Sequence, residues 1–422
     1  MFRKFVRAAA AVSIMMLAAE AGSAPASAAS GPKPSKPLIP IIIEVQKLTE
    51  AKDCNGALAK LKEADAVPDH SDYDNYIIAK FQGYCGISLQ DYALATSAYE
   101  AMADSPALTD EDSKSTLHNA ILLAAQAKHF DKAMGYAKRL EALGGMDDKT
   151  YAAAAQSSYF LNDMTGAQAY AQKSIDLAKA AGKQPEQAAL EIVMSASAKQ
   201  NNQQGAEQML EELALNYNDP DNWGKLIEVA YGTKGLGDLN TLYLARLRYR
   251  AGAMKDADDY TLHAAIANQM GYPGEARDVL QAGISNGKLS SAKGGSLLSA
   301  ARTSAAADER SLPTIAKSAA ASKTGEQDVK LAEDYYGLGR YSEAAEAATR
   351  AISKGGMKDP TEGNMVLGMT YVGQKKYVEA QAEFDKVKAG EARNKVAHLW
   401  SLYAQAQLKK AGTTAAAPTP AQ

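Results

Sequence analysis

Small and apolar residues recur along this chain in one spacing. A leading residue is followed by alanine three positions later, then by residues of suitable size seven and ten positions later. Tyr377, Ala380, Phe384 and Val387 show it most clearly. Tyr341, Ala344, Ala348, Ala351, then Phe130, Ala133, Ala137, Leu140, and Tyr92, Ala95, Tyr99, Met102 repeat it. Weaker copies start at Cys54, Met164, Gln203 and Pro273. Steps of three, four and three place all four residues on one face of a helix.

The alanines act as a ruler. They fall at 57, 95, 133, 167, 206, 276, 344 and 380, with gaps of 38, 38, 34, 39, 70, 68 and 36. Two gaps are doubled, which predicts two degenerate units near residues 240 and 310 and about ten units of ~36 residues in all. Each unit also carries an upstream helix. Leu367-Gly368 and Tyr371 precede the turn Gly373 to Lys376 and Tyr377; Leu331-Ala332 and Tyr335 precede Gly337-Leu338-Gly339 and Tyr341. Small residues at Gly83, Ala332 and Gly368 allow the two helices of a unit to approach closely. Proline or glycine separates units at Pro68, Pro106, Gly144-Gly145 and Pro360.

These units resemble tetratricopeptide repeats, whose pattern runs L-G-x2-Y, then A-x3-F. Leu367, Gly368, Tyr371, Ala380 and Phe384 match it position for position. The resemblance spans roughly residues 40–390 and is strongest from Val329 to Lys388. The early tryptophan is missing from every unit, and the weak middle units are also compatible with Sel1-type helix pairs. The resemblance implies an all-α, right-handed superhelical solenoid of antiparallel helix pairs. A final amphipathic helix, residues 391–410, carries Val396, Leu399, Trp400, Tyr403 and Leu408 and is expected to cap the last repeat.

Both ends read differently. Arg3, Lys4 and Arg7 precede an apolar stretch from Ala8 to Ala19 and an A-x-A site at Ala26-Ser27-Ala28. This is the pattern of a secretory signal peptide, with cleavage expected after Ala28 and a periplasmic destination. No later segment has ~18 consecutive apolar residues, so no integral membrane segment is expected after cleavage. Residues 29–40 read as a Pro-rich linker, and residues 411–422 as a disordered tail. The leader holds three basic residues and one acidic one, so 43 basic and 48 acidic residues remain, a net charge of −5. That balance gives no basis for a nucleic-acid partner.

The chemistry-bearing motifs are weak. Gly283-Ile284-Ser285-Asn286-Gly287 matches G-x-S-x-G, but a helix precedes it where a nucleophile elbow needs a strand. Gly235-Leu236-Gly237 lacks the third glycine of a dinucleotide loop. The five histidines, His70, His118, His129, His263 and His398, have no metal-ligand spacing. Asp147-Asp148 and Asp258-Asp259 are adjacent and read as caps or solvated faces. No catalytic residue, cofactor or metal is expected. Arg246, Arg248 and Arg250 read as a solvated helix face, or as a local basic patch.

Two further expectations follow from the resemblance. Cys54 starts the second helix of one unit and Cys85 ends the first helix of the next; in tetratricopeptide-like stacking these are antiparallel neighbours, so a disulfide is expected in an oxidising compartment. Two buried free thiols are the competing reading; a redox pair lacks C-x-x-C spacing. First helices line a groove in this family, which implies Lys80, Tyr84, His118, Leu122, Gln156, Tyr159, Glu333, Tyr336, Met365 and Met369 as partner-binding candidates. Tyr84 stands where a carboxylate clamp needs asparagine, which argues against chaperone-tail binding. The expected function is a non-enzymatic scaffold or adaptor for an envelope protein or peptide. The alternative is an enzyme or transport accessory, or a cell-wall glycan binder, with a site in the irregular middle between Trp223 and Tyr260.

Overall fold

The computed structural model describes residues 32–416. The leader and its cleavage site, and the last six residues, lie outside the described residues. The structure divides into two compact units.

The first unit holds α1 (Ile39–Glu50), α2 (Cys54–Asp65) and α3 (Asp72–Ser88). Part of the expected linker is built into it. Leu38 is fully buried, the Ser35 amide donates to Asp74 Oδ1 at 2.8 Å, and α1 starts two residues before the expected Ile41.

The second unit begins with α4 (Tyr92–Asp104). Helix pairs follow: α5 (Asp110–Gln126) with α6 (Phe130–Ala142), α7 (Asp148–Phe160) with α8 (Met164–Ala180), and α9 (Gln187–Lys199) with α10 (Gln203–Tyr217). Next come α11 (Pro220–Tyr231) with α12 (Gly237–Arg250), and α13 (Ala257–Gln269) with α14 (Pro273–Ser285). The long α15 (Ser291–Ala321) stands alone. Then α16 (Glu326–Gly337) pairs with α17 (Tyr341–Lys354), α18 (Glu362–Gly373) pairs with α19 (Tyr377–Phe384), and α20 (Glu391–Ala416) ends the chain. The second unit is thus an all-helical repeat solenoid built largely of helix pairs.

All eight sequence copies begin a second helix at their first residue: Cys54, Tyr92, Phe130, Met164, Gln203, Pro273, Tyr341 and Tyr377. Seven of the eight ruler alanines are at most 1% exposed; Ala206 is half-buried. The reason is packing. A Cβ on Gly368 would lie 2.5 Å from the Phe384 ring, so the L-G and A-x3-F positions of one repeat interlock and leave no room for a larger pair.

The turn inside each repeat is also constant. Two residues before each second helix the backbone is left-handed: Lys52, Gln90, Lys128, Asn162, Asn201, Gly271, Gly339 and Lys375. The amide after each closes a six-residue ring to the first helix, as in Asp53 to Leu48 O at 2.8 Å and Lys376 to Tyr371 O at 2.8 Å. That bond satisfies a carbonyl the ending helix leaves free. Asp53, Asp163 and Asn202 then cap the second helix through the amides of Gly56, Gly166 and Gly205.

The two degenerate units differ. Near residue 240 the pair α11–α12 survives: Gly235 keeps the left-handed turn, and Asn240 occupies the alanine place. Near residue 310 no pair forms. Residues 291–321 are one helix of 31 residues that runs through Pro313. Its Ser/Ala-rich sequence supplies no turn to divide it. At the other end, α20 continues to Ala416, six residues beyond the expected boundary, into the segment expected to be a disordered tail.

The helix α20 does more than cap the last repeat. It packs on α19 and also on α10 and α12. Lys395 reaches Glu207 at 2.5 Å, and His398 reaches Glu211 at 3.1 Å. Trp400 Nε1 donates to Tyr243 O at 3.1 Å, and Tyr403 OH donates to Arg250 O at 3.0 Å. Within the second unit the end of the chain therefore returns to its middle.

Candidate partner-binding faces and a buried charge cluster

First helices are side-by-side neighbours in the second unit: α5 packs on α7, and α7 on α9. Their unburied faces form one continuous strip. His118 is half-buried, with Nε2 at 3.0 Å from Asp147 Oδ2. Asp147 caps α7 through the Thr150 amide. Burial would raise the Asp147 carboxyl, but hydrogen bonds from His118 and Thr150 outweigh it and hold the carboxyl well below the usual range. Leu122, Gln156 and Tyr159 are half-buried on the same strip. Lys199 lies 5.8 Å from the Tyr159 ring centre. On α9, Glu191, Met194 and Ser195 remain half-buried and continue the strip; sequence reasoning missed them because that repeat lacks a clear first-helix pattern. Phe160, 46% exposed and stacked on Phe130 at 4.7 Å, was missed too. In the first unit Lys80 and Tyr84 are exposed on α3.

The other four candidates need correction. Glu333, Tyr336, Met365 and Met369 are buried, so no partner reaches them. The face of α16 and α18 that was expected to be open is filled by α12 and α20. Tyr243 of α12 donates to Glu333 Oε1 of α16 at 2.5 Å, and α20 packs on α18.

The arginines of α12 need the same correction: two of them form neither a solvated face nor a basic patch. Arg246 is 2% exposed. Its Nε donates to Glu275 Oε1 at 2.9 Å, its Nη2 to Glu275 Oε2 at 2.7 Å, and its Nη1 to Glu333 Oε2. The guanidinium lies 4.6 Å from the Tyr336 ring centre and 5.5 Å from that of Tyr272. His263 Nε2 sits 2.8 Å from Glu275 Oε1. Arg248 is also buried and pairs with Asp259 at 2.5 Å and Glu228 at 2.8 Å. The half-buried Arg250 donates to Tyr341 OH at 2.5 Å. Burial would raise the Glu275 carboxyl, but the Arg246 charge and the His263 and Arg246 hydrogen bonds prevail and hold it at about 2. An arginine shared by two carboxylates and stacked on tyrosine rings is the arrangement that makes a buried cation tolerable. Trp223, Tyr243 and Tyr260, which bound the middle region, are buried with it.

The remaining motifs have structural roles. Ser285 is exposed at the last turn of α14, and a Cβ on Gly283 would lie 2.9 Å from the Tyr260 ring, so that glycine serves helix packing. A cavity of about 400 Å³ opens beside α6, α7 and α8; of its two carboxylates, Glu141 is already bonded to Lys173, Tyr170 and Tyr151, and Asp163 caps α8 through the Gly166 amide. Among the described residues no group of three His, Cys, Asp or Glu is placed to hold a metal ion, and no helix is long and apolar enough to cross a membrane. Cys54 and Cys85 are free thiols, both buried in the core of the first unit. Burial pushes the Cys85 thiol up, and its hydrogen bond with Cys54 adds to this.

No protein-family model matches the chain, and no curated protein matches it. It is similar to several solved helical-repeat structures. One is Naa15/Naa10 bound to HypK-THB: 14% identity, 88% of this chain and 68% of that one, TM-score 0.29. A second is the P58(IPK) TPR domain: 13% identity, 89% and 99%, TM-score 0.26. A third is the pentatricopeptide repeat protein PPR10 in complex with an 18-nt psaJ RNA element: 14% identity, 90% and 65%, TM-score 0.31. The fold assignment rests on the helix pairs and their turns.

Proposed function

We propose that this chain is a non-catalytic scaffold of the bacterial periplasm that holds a protein or peptide of the envelope against the free faces of α5, α7 and α9. One observation carries the reading. The strip through Leu122, Gln156, Tyr159 and Met194 stays open and mixes polar and apolar groups, while the equivalent face of α16 and α18 is filled from within. Half-buried tyrosine and methionine suit adaptable contacts. The basic leader, apolar run and A-x-A site support export. In the middle region Trp223, Tyr243, Arg246, Arg248 and Tyr260 are engaged in packing and ion pairs, which removes these side chains as the basis of a site there.

Export also gives the two thiols a role. In an oxidising compartment Cys54 and Cys85 form a disulfide: each thiol gives up its proton, and the pair gives two electrons to a disulfide oxidant, which leaves as a dithiol.

Crosslinking in intact envelopes tests the scaffold reading. The native chain is expected to capture a defined protein that the Gln156→Ala/Tyr159→Ala variant loses while keeping its helical circular dichroism. Equal capture by both would falsify the strip as the binding face. N-terminal sequencing of the periplasmic fraction should start at Ala29.

A further inference from the structure

The last helix runs beside α10 in the same sense, and polar contacts mark the seam from end to end. Lys395 reaches Glu207 at 2.5 Å, His398 Nε2 lies 3.1 Å from Glu211 Oε2, and Gln407 Nε2 lies 3.4 Å from Asn218 Oδ1. Lys409 donates to Asn216 Oδ1. Beyond its own partner α9, α10 packs chiefly on α11 and α20. The helix α20 is therefore one of two supports that join the α9–α10 pair to the later helices of the second unit.

The charges along this seam balance only with a proton. Glu207 and Glu211 are four residues apart and share one side of α10; Lys395 and His398 are three apart and share one side of α20. With a neutral imidazole, two carboxylates one turn apart face a single cation, Lys395. With an imidazolium the two rows are matched, and the His398–Glu211 contact becomes charge-assisted. Other charged groups around the seam are engaged elsewhere. Glu212 of α10 pairs with Lys179 at 2.5 Å. Among the helices packed on α20, α12 bonds Arg246 to Glu275 and Glu333 and Arg250 to Tyr341, α18 bonds Glu362 to Lys330, and α19 bonds Glu383 to Lys386 and Asn364. Glu379 of α19 is exposed, and Arg393 of α20 pairs with Asp359 at 3.0 Å. The Glu211 hydrogen bond raises the His398 imidazole above its usual 6.5; burial opposes it, the Glu211 and Glu207 charges add to it, and Lys395 subtracts.

We propose that the seam between α10 and α20 is a proton-operated clasp, firm when His398 is an imidazolium and looser when it is neutral, and that it governs how freely the α9–α10 pair opens against the later helices. An imidazole raised by a partner in the folded state contributes fully below about pH 6.5, and its contribution is lost as pH rises through the folded value. The helix α20 stays seated throughout, since Trp400 and Tyr403 are buried in the core. What loosens is its hold on α10, as a local opening. The clasp is independent of the partner-binding reading.

Hydrogen exchange of the full chain at about pH 5.5 and pH 8.5, corrected for the intrinsic pH dependence of exchange, tests the clasp. Protection of peptides from α10 is expected to fall about two- to fivefold at the higher pH, the range of a solvent-exposed ion pair. His398 has a side chain 54% exposed, so it can be replaced without disturbing the core. His398→Gln should show the lower protection at both pH values, and His398→Lys, which keeps its charge, the higher protection at both. The His398 ring resonance, identified by its loss in His398→Gln, should titrate above about 6.5 and move back towards it in Glu211→Gln. Equal protection of native α10 at the two pH values, or a pH dependence that persists in His398→Gln, overturns the proposal.

Discussion

Arg246→Met tests the closure of the second unit most directly. The substitution keeps a long side chain but removes the cation shared by Glu275 and Glu333, both buried. Glu275 keeps only His263, and Glu333 only the Tyr243 hydroxyl. Breaking a buried pair from one side costs about 3–5 kcal/mol, because charge is left without compensation. The assay is built in. The only two tryptophans, Trp223 and Trp400, are both fully buried in the second unit, beside Tyr403 at 5.4 and 6.4 Å. Tryptophan fluorescence during urea unfolding therefore reports this region. The cost should also depend on pH. Without the cation, burial raises the Glu275 carboxyl above its unfolded value. The folded state then binds more protons, so the variant loses stability as pH rises from about 4 towards neutrality. The triple variant Arg246→Met/Glu275→Gln/Glu333→Gln leaves no buried charge and should recover most of the loss. If the single variant costs less than about 1 kcal/mol, or the triple variant is no better than the single, the three side chains are not a closed buried cluster.

Other parts of the structure give shorter tests. Gly368→Ala brings a Cβ against the Phe384 ring and should cost about 1–3 kcal/mol, partly recovered in Gly368→Ala/Phe384→Leu; equal losses in the two would refute the interlock. If Cys54 and Cys85 are bonded, the protein from the periplasm should show no reactive thiol when unfolded without reductant; reduction should then cost about 3 kcal/mol in the loop-closure model. Burial raises the Asp334 carboxyl to about 7, with Asp308 and Glu333 adding to the effect. Because this group holds its proton longer when folded than when unfolded, its contribution declines from about pH 4 to pH 7. Asp334→Asn should flatten that part of the profile and be more stable than the native chain at pH 8 in urea titrations.

The repeats were legible because their packing demands small residues at fixed places. Ala380 and Gly368 face neighbours that leave no space, so the ruler fell on the true starts of the second helices. The turns were less legible. Their left-handed position accepts Lys, Gln and Asn as well as Gly, at a local cost that the following cap and ring-closing bond offset, so no single residue type marks it. The long α15 was misread for a related reason. The one alanine missing between 276 and 344 looked like a decayed pair, but a ruler cannot distinguish a weak unit from an uninterrupted helix. Pro313 did not break it, since a proline inside a helix costs one hydrogen bond and some strain, which tertiary packing can absorb.

The groove candidates failed where local pattern ends and topology begins. Glu333, Tyr336, Met365 and Met369 occupy first-helix positions like those of Gln156 and Tyr159, and nothing in their own repeats distinguishes them. What differs lies about 90 residues upstream in Tyr243 and Arg246, whose partners are Glu333 in both cases. A signal was present in the run from Tyr243 to Arg250. Arg246 and Arg250 are four residues apart and share one side of the helix, whereas Arg248, two residues from each, lies on the other. Arginines on opposite sides of one helix cannot share a single solvated face. Some had to turn inward, and buried arginine requires carboxylates from other helices. Glu275 and Glu333 answer that requirement, and in doing so they mark which half of the solenoid is closed. The half without such a run, α5 to α9, is the one that keeps a face free for another molecule.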